Sequence, residues 1–281
     1  MKIMSLQPKY PTSVEASEEC LKYMLDKLNK LDEDVDLVVL PEYANVPGPI
    51  ASREDLNERS ARNTPILLKA ASDAAKRLNS FVAVNVACDE GSGMRNTTYL
   101  YRGDGSLAYR YFKLHLPYSE KVELALDQSY AFGADGKPDL SGCVAEIDGI
   151  RFGFLTCYDM YFNEQIEYMA DFQPDIIVYA SYQRGERSDI LRSQIKLCSM
   201  RCNSHVVRSS YSMGLKNGAD NGAHSMIASP EGQILCDIGQ GTGFITAEIE
   251  PKWKYYRSNG FGQPDVLNDM FIREGRLYNF E

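Results

Sequence analysis

Histidine is nearly missing from this chain, with three in 281 residues. None is placed to complete a four-ligand set with Cys198 and Cys202, which stand four apart on a predicted helix, so no metal site is expected. Seven cysteines, odd in number and widely spaced, give no disulfide framework and read as reduced thiols. Positive charge is short as well. Lys and Arg total 30 against 39 Asp and Glu, a formal net charge of −9, which disfavours nucleic acid and anionic membrane as partners. No apolar run approaches the ~18 residues of a membrane span, and the opening Met1 to Leu6 lacks a signal-peptide core, so a cytoplasmic location is expected. No linker, short-period repeat or low-complexity stretch divides the chain.

What is present is an alternation of apolar strands and amphipathic helices. Predicted strands run over Lys2 to Leu6, Leu37 to Leu40, Phe81 to Ala87, Asn96 to Tyr101, Leu107 to Phe112, Val144 to Ile147, Ile150 to Leu155, Ile176 to Ala180 and Val206 to Ser210. His224 to Ala228, Gln233 to Cys236 and Gly243 to Ile249 follow. Arg102 to Gly105 and Asp148-Gly149 are hairpin signals. Thr12 to Glu15 reads as a capping box ahead of Leu21, Met24, Leu25, Leu28 and Leu31 at helical spacing. Ser52 caps a short polar helix and Thr64-Pro65 opens a second. Helices also fit Ile166 to Phe172 and Ser188 to Asn203. Tight turns among these elements predict an α/β fold with mixed sheets. A strand followed by an acid and a strand followed by a thiol hint at two similar layers.

Three polar residues stand just past strand ends. Leu40-Pro41-Glu42 closes one strand in a carboxylate, Phe112-Lys113 closes another in an ammonium, and Thr156-Cys157 closes a third in a thiol. Open α/β folds place their sites at the carboxyl ends of strands, and amides opening the following helix favour a thiolate. Taken singly, Glu42 reads as a cap or surface acid and Lys113 as a snorkelling lysine. If the strands are neighbours, all three converge in one cleft.

These residues resemble the nitrilase superfamily of carbon–nitrogen hydrolases. The likeness rests on Leu40-Pro41-Glu42, then Tyr111-Phe112-Lys113-Leu114-His115-Leu116-Pro117, then Thr156-Cys157-Tyr158-Asp159 with Glu164. Asn96-Thr97 to Gly105, Pro174 to Val178 and Gly222 to Ile227 extend it over about residues 1–250. The resemblance implies a four-layer α-β-β-α sandwich that pairs into a homodimer or higher even oligomer, with no cofactor. It implies a Glu–Lys–Cys triad in which Glu42 is the general base, Lys113 the oxyanion stabiliser and Cys157 the nucleophile. A second glutamate is expected at Glu120, with Glu123 the rival. Residues 1–250 then form the hydrolase domain, and 251–281 an arm packing at a subunit interface.

Cys-Tyr-Asp after the third strand looks like the amidase and carbamoylase branches, so the implied substrate is a small linear amide or N-carbamoyl compound. Nitrile hydrolysis is the alternative, and a binding homologue without turnover is the non-enzymic one. Tyr118, Tyr158, Tyr161, Tyr182 and Ser181 are candidates for the pocket wall, and Arg184 or Arg187 could clamp a substrate carboxylate. Asp159 is expected to hold the turn after the nucleophile. His115 and His224 read as structural, and His205 as a surface residue. Two departures from the family pattern stand out: Glu167 where an arginine is usual, and Ala223 within a Gly-Gly-His-Ser pattern.

Overall fold

The computed structural model describes residues 1–32, 34–214 and 220–268. The first half runs β1 (Lys2–Gln7), α1 (Val14–Lys30), β2 (Leu37–Val39), α2 (Arg53–Leu78), β3 (Phe81–Asp89), β4 (Met94–Tyr101) and β5 (Leu107–Phe112). The second runs β6 (Val144–Ile147), β7 (Ile150–Thr156), α3 (Asn163–Phe172), β8 (Ile176–Ala180), α4 (Ser188–Cys202), β9 (His205–Ser209), β10 (Met226–Ala228) and β11 (Ile234–Asp237). Then come β12 (Gly243–Glu248), β13 (Tyr256–Arg257) and β14 (Val266–Leu267).

Two six-stranded mixed sheets result, in the orders β12-β1-β2-β3-β4-β5 and β11-β10-β9-β8-β7-β6. In each, three parallel strands lie between antiparallel neighbours. Strands β1 and β2 touch β9, and β3 touches β8, so the sheets pack face to face; α2 covers β3, and α4 covers β9 and β10. This is the four-layer α-β-β-α sandwich. The strand pattern shows how the layers form. Ile3, Leu37, Val39 and Ala83 point into the core shared with Phe152, Phe154 and Val178. Their neighbours Met4, Val38, Leu40, Val82 and Val84 point the other way, onto Leu21, Met24, Leu67 and Ala71 of the helices. Strands buried on both faces read as unbroken apolar runs.

The hinted repetition of layers is real. In order and pairing, β7-α3-β8-α4-β9-β10-β11 repeats β1-α1-β2-α2-β3-β4-β5. The acid and the thiol are nevertheless not equivalent, because Glu42 follows β2 while Cys157 follows β7, the counterpart of β1.

Helix boundaries differ in two places. Ser13, not Thr12, caps α1, accepting from the Ala16 amide at 3.2 Å. Ser52 caps α2 as expected, but the chain passes Thr64-Pro65 without a break. An internal proline costs a helix ~3 kcal/mol. Here the same turns dock on the loop after β2 and on β3. Asn63 Nδ2 donates to Asn45 O at 2.9 Å, Asn45 Nδ2 to Thr64 Oγ1 at 2.7 Å, and Arg59 Nη1 to Pro49 O at 2.8 Å. Those bonds hold the helix through the proline.

The described part of the arm packs on its own chain. Lys254 Nζ donates to the Gln173, Pro174 and Asn203 carbonyls at 3.0, 2.9 and 3.1 Å, and the Tyr255 amide to Asn203 Oδ1 at 2.8 Å. The rest of the expected arm, 269–281, lies outside the described residues. Among those described, no helix is long and apolar enough to cross a membrane, and no group of metal-ligating side chains is assembled.

Candidate active site

Three strands from two sheets end at one place. After β2, the Leu40 amide still reaches Ala83 O at 2.9 Å. Pro41 cannot donate, so the ladder stops and Glu42 leaves the sheet. After β5, the Lys113 amide donates to Asn96 O at 2.9 Å while its side chain turns inward. After β7 comes Cys157 at φ 46°, a left-handed conformation uncommon for a residue with a Cβ and held only where its surroundings over-determine it. Asp159 supplies that restraint. Its Oδ2 accepts from the Thr156 amide at 2.9 Å and from the Tyr111 hydroxyl at 2.6 Å, and its Oδ1 from the His115 amide at 2.9 Å. His115 also pairs with Asp159 through Nδ1 at 3.0 Å.

Lys113 is fully buried, and its ammonium donates to Glu42 Oε1 at 2.8 Å and Glu120 Oε1 at 2.7 Å. Burial works against its charge, but the Glu120 and Glu42 carboxylates more than offset that, and its pKa stands well above the ordinary value. Burial also pushes the Glu120 carboxyl up to about 7, Glu42 adding to the shift and Lys113 opposing it. The Tyr43 hydroxyl lies beside Glu120; neither it nor Glu120 Oε2 closes a hydrogen bond of ordinary geometry among the described residues.

The Cys157 thiol is pushed well above its usual pKa by burial and then by the Glu42 carboxylate; Lys113 and the Tyr182 backbone N–H act in the opposite direction. Burial is the largest of these influences. The resting thiol keeps its proton next to an acceptor, Glu42, so attack on a carbonyl can be coupled to transfer of that proton.

Above these groups opens a cavity of about 1330 Å³, walled in part by Glu42, Tyr43, Glu120, Cys157, Tyr182 and Arg184. Glu123 also reaches its wall, but Lys113 pairs with Glu120. The other pocket candidates scatter. Tyr118 is 70% exposed and outside the lining. Tyr158 packs against the Tyr161 and Phe162 rings instead. Ser181 is buried and accepts from Arg208 Nη2 at 3.0 Å. Arg187 pairs with Asp189 at 2.8 Å outside the lining. Arg184 does line the cavity, its guanidinium 5.2 Å from the Tyr182 ring centre and 5.6 Å from that of Tyr10.

His205 is not on the surface. It is 3% exposed, and burial drives its pKa down to about 4. His224 sits between Asp237 and Asp220, at 2.8 and 2.9 Å. Glu167 on α3 pairs with Arg201 on α4, so the unusual acid finds its cation on the neighbouring helix. Two residues had no role in the sequence reading. Asn96 Nδ2 donates to Glu42 Oε1 at 2.8 Å, and Asn85 Nδ2 donates to Asn96 Oδ1 at 2.8 Å. Asparagine is disfavoured inside strands, and two of them within β3 and β4 were the available signal.

The fold and this cluster define a class. The chain belongs to the carbon–nitrogen hydrolase family, whose model matches residues 2–257. Among characterised relatives it is similar to the 2-oxoglutaramate amidase of Bacillus subtilis, at 25% identity over 79% of this chain and 81% of that one. It is also similar to an ω-amidase of Saccharomyces cerevisiae, at 22% identity over 81% and 79%. Among solved structures, a nitrilase-superfamily member from Saccharomyces cerevisiae superposes with a TM-score of 0.65, at 18% identity, over 99% of this chain and 95% of that one. A mutant amidase of Nesterenkonia sp., carrying the acetamide moiety of fluoroacetamide on its active-site cysteine, does so with 0.71, at 14% identity, over 98% and 94%.

Proposed function

We propose that this carbon–nitrogen hydrolase is an amidase acting on small linear primary amides, with ω-amides of dicarboxylic acids as its preferred class. The observation that carries the reading is the buried Lys113 ammonium bridging Glu42 and Glu120 at 2.8 and 2.7 Å, two carboxylates that line one cavity with Cys157. In this reading Cys157 Sγ bonds to the amide carbon as its proton passes to Glu42. The carbonyl π electrons become an oxyanion beside Lys113, where loss of one donor costs ~3–4 kcal/mol. The C–N bond breaks, Glu42 returns the proton to nitrogen, and ammonia leaves. Water then attacks the thioester, with Glu120 or Glu42 taking its proton, and frees the acid and the thiol. The names of the two amidase relatives favour an ω-amide, and Arg184 on the cavity wall offers the fork that a distal carboxylate would take.

The test is ammonia release from primary amides, ω-amides of dicarboxylic acids, N-carbamoyl acids and amines, and nitriles, with Cys157→Ala as blank. Cysteine-dependent release, strongest for the ω-amides and with KM raised by Arg184→Met for those substrates alone, is expected. Faster release from N-carbamoyl compounds or nitriles would reassign the substrate class. No release from any of them would favour a binding homologue without turnover.

A further inference from the structure

Arg208, on β9, is the largest wholly buried side chain among the described residues. No carboxylate pairs with it among the described residues. Its two Nη atoms bond to oxygens that carry no full charge: Nη1 donates to the Ala223 carbonyl and, at 2.7 Å, to His224 O, while Nη2 donates to Ser181 Oγ at 3.0 Å and Gln183 Oε1 at 3.2 Å. Nε has no partner. A buried cation without a counter-ion is costly, and arginine stays charged in protein interiors. Its position therefore calls for a reason.

The bonds give one. Ser181 and Gln183 flank Tyr182, which lines the cavity together with Cys157. Gln183 Oε1 also lies 2.7 Å from the Tyr179 hydroxyl, which in turn lies 3.1 Å from Cys157 O. Arg208 stacks over the Tyr179 ring at 5.7 Å. On its other side it grips two consecutive residues at positive φ, Ala223 at 56° and His224 at 59°. One guanidinium thus joins the segment that carries the Tyr182 amide to the turn behind it. Charge balance agrees. Glu42 and Glu120 ionised, with Lys113 alone, leave the site one charge negative, and a thiolate formed by losing its proton to solvent would make it worse. A second buried cation removes the deficit.

We propose that Arg208 is a positioning residue for the nucleophile: through Gln183 and the Tyr179 hydroxyl it holds the backbone of Cys157, and it supplies a buried positive charge that favours the thiolate. This rests on Cys157 being the reactive thiol, but not on any substrate. The charged groups acting on that thiol are Glu42 and Lys113, which follow strands of the first sheet, Glu120 from the turn Ser119–Glu123, and Arg208 from the second sheet, while the Tyr179 hydroxyl meets the Cys157 carbonyl. Asp237 acts on Arg208 from β11.

The experiment is the rate of iodoacetamide alkylation at Cys157, resolved from the other cysteines by peptide mass spectrometry, between pH 6 and 10. Wild type is compared with Arg208→Gln and Arg208→Lys, and near-UV circular dichroism reports packing. Arg208→Gln is expected to keep its packing yet alkylate about ten-fold more slowly at pH 8, its profile displaced upward by about one unit. Arg208→Lys, which keeps the charge but not the fork, is expected to fall between. A folded Arg208→Gln with the wild-type profile overturns the proposal. Should Arg208→Gln not fold, a wild-type profile in a folded Arg208→Lys overturns it. Alkylation needs no turnover, so a chain that hydrolyses none of the amides still tests Arg208.

Discussion

Asn96 Nδ2 and Lys113 Nζ both donate to the same oxygen of Glu42, Oε1, each at 2.8 Å. No described residue hydrogen-bonds Oε2, which leaves that atom free for the base role proposed for Glu42. Asn85 fixes the Asn96 amide the right way round by donating to its Oδ1 at 2.8 Å. Hydrogen bonds to a charged group contribute ~1.5–3 kcal/mol. Asn96→Leu is accordingly expected to lower kcat by roughly ten- to hundred-fold, at ~1.4 kcal/mol per decade, with the fold retained. Steady-state ammonia release beside thermal unfolding checks this. An unchanged kcat would show that Glu42 needs no such support.

Among the described residues, Lys113 is the only cation hydrogen-bonded to two buried carboxylates. Lys113→Met leaves Glu42 and Glu120 facing each other uncompensated, and breaking a buried pair this way costs ~3–5 kcal/mol. The penalty has a sign in pH. Two unpaired buried carboxyls hold their protons to higher pH than in the unfolded chain, so the variant should lose stability as pH rises. Urea unfolding at pH 5 and pH 8 is expected to show the larger deficit against wild type at pH 8. Equal deficits would mean that packing, not charge, is what Lys113 provides.

Much of this was legible in the sequence, and the illegible part has physical causes. Glu42, Lys113 and Cys157 are visible because each interrupts a strong apolar run just where the strand ends. Glu120 could be placed only by resemblance, since nothing local in the turn Ser119–Glu123 marks it. Pro65 misled because propensity weighs one residue, whereas Arg59, Asn63 and Thr64 tie that turn to another segment. Nothing within His205–Ser209 marks Arg208, and only the assembled neighbours show it buried. Ser181, which follows a strand, and the aromatic Tyr158 both read as wall candidates, yet Ser181 is taken up by Arg208 and Tyr158 by the Tyr161 ring, and neither lines the cavity.

Glu120 sets a pH dependence for the proposed reaction. Its carboxyl titrates at about 7, with burial the main cause. Above that it is ionised, pairs with Lys113 and can take a proton from water; below, it cannot. Ammonia release should therefore rise through pH 7, the apparent value belonging to the coupled Glu42–Lys113–Glu120 group. Glu120→Gln should flatten this limb and accumulate acylated protein, visible by intact-mass spectrometry after quenching. A Glu120→Gln enzyme with the wild-type limb and no trapped adduct would move deacylation to Glu42. The stability sign runs the other way. A folded pKa above the usual 4.5 favours the fold at low pH, and that contribution is lost as pH rises towards 7.

His224 gives the clearest test of how the cavity rim is held. It is 1% exposed, with Asp237 on Nδ1, Asp220 on Nε2 and Arg192 Nη2 3.2 Å from Nδ1. Burial disfavours its charged form, but the two carboxylates prevail and its pKa is raised. A histidine raised in the folded state contributes stability that is fully present below its unfolded value near 6.5 and disappears as pH passes the folded one. Only the imidazolium can donate to both acids at once, so it clamps Asp220, next to the cavity residue Asn221, onto β11. His224→Gln keeps a donor and an acceptor but not the charge. It should lower the melting temperature clearly at pH 6 and little at pH 9, where the wild-type clamp has itself loosened. A loss independent of pH would make the ring a packing element and leave the rim held by Gln240, whose Nε2 donates to Asp220 Oδ1 at 3.0 Å.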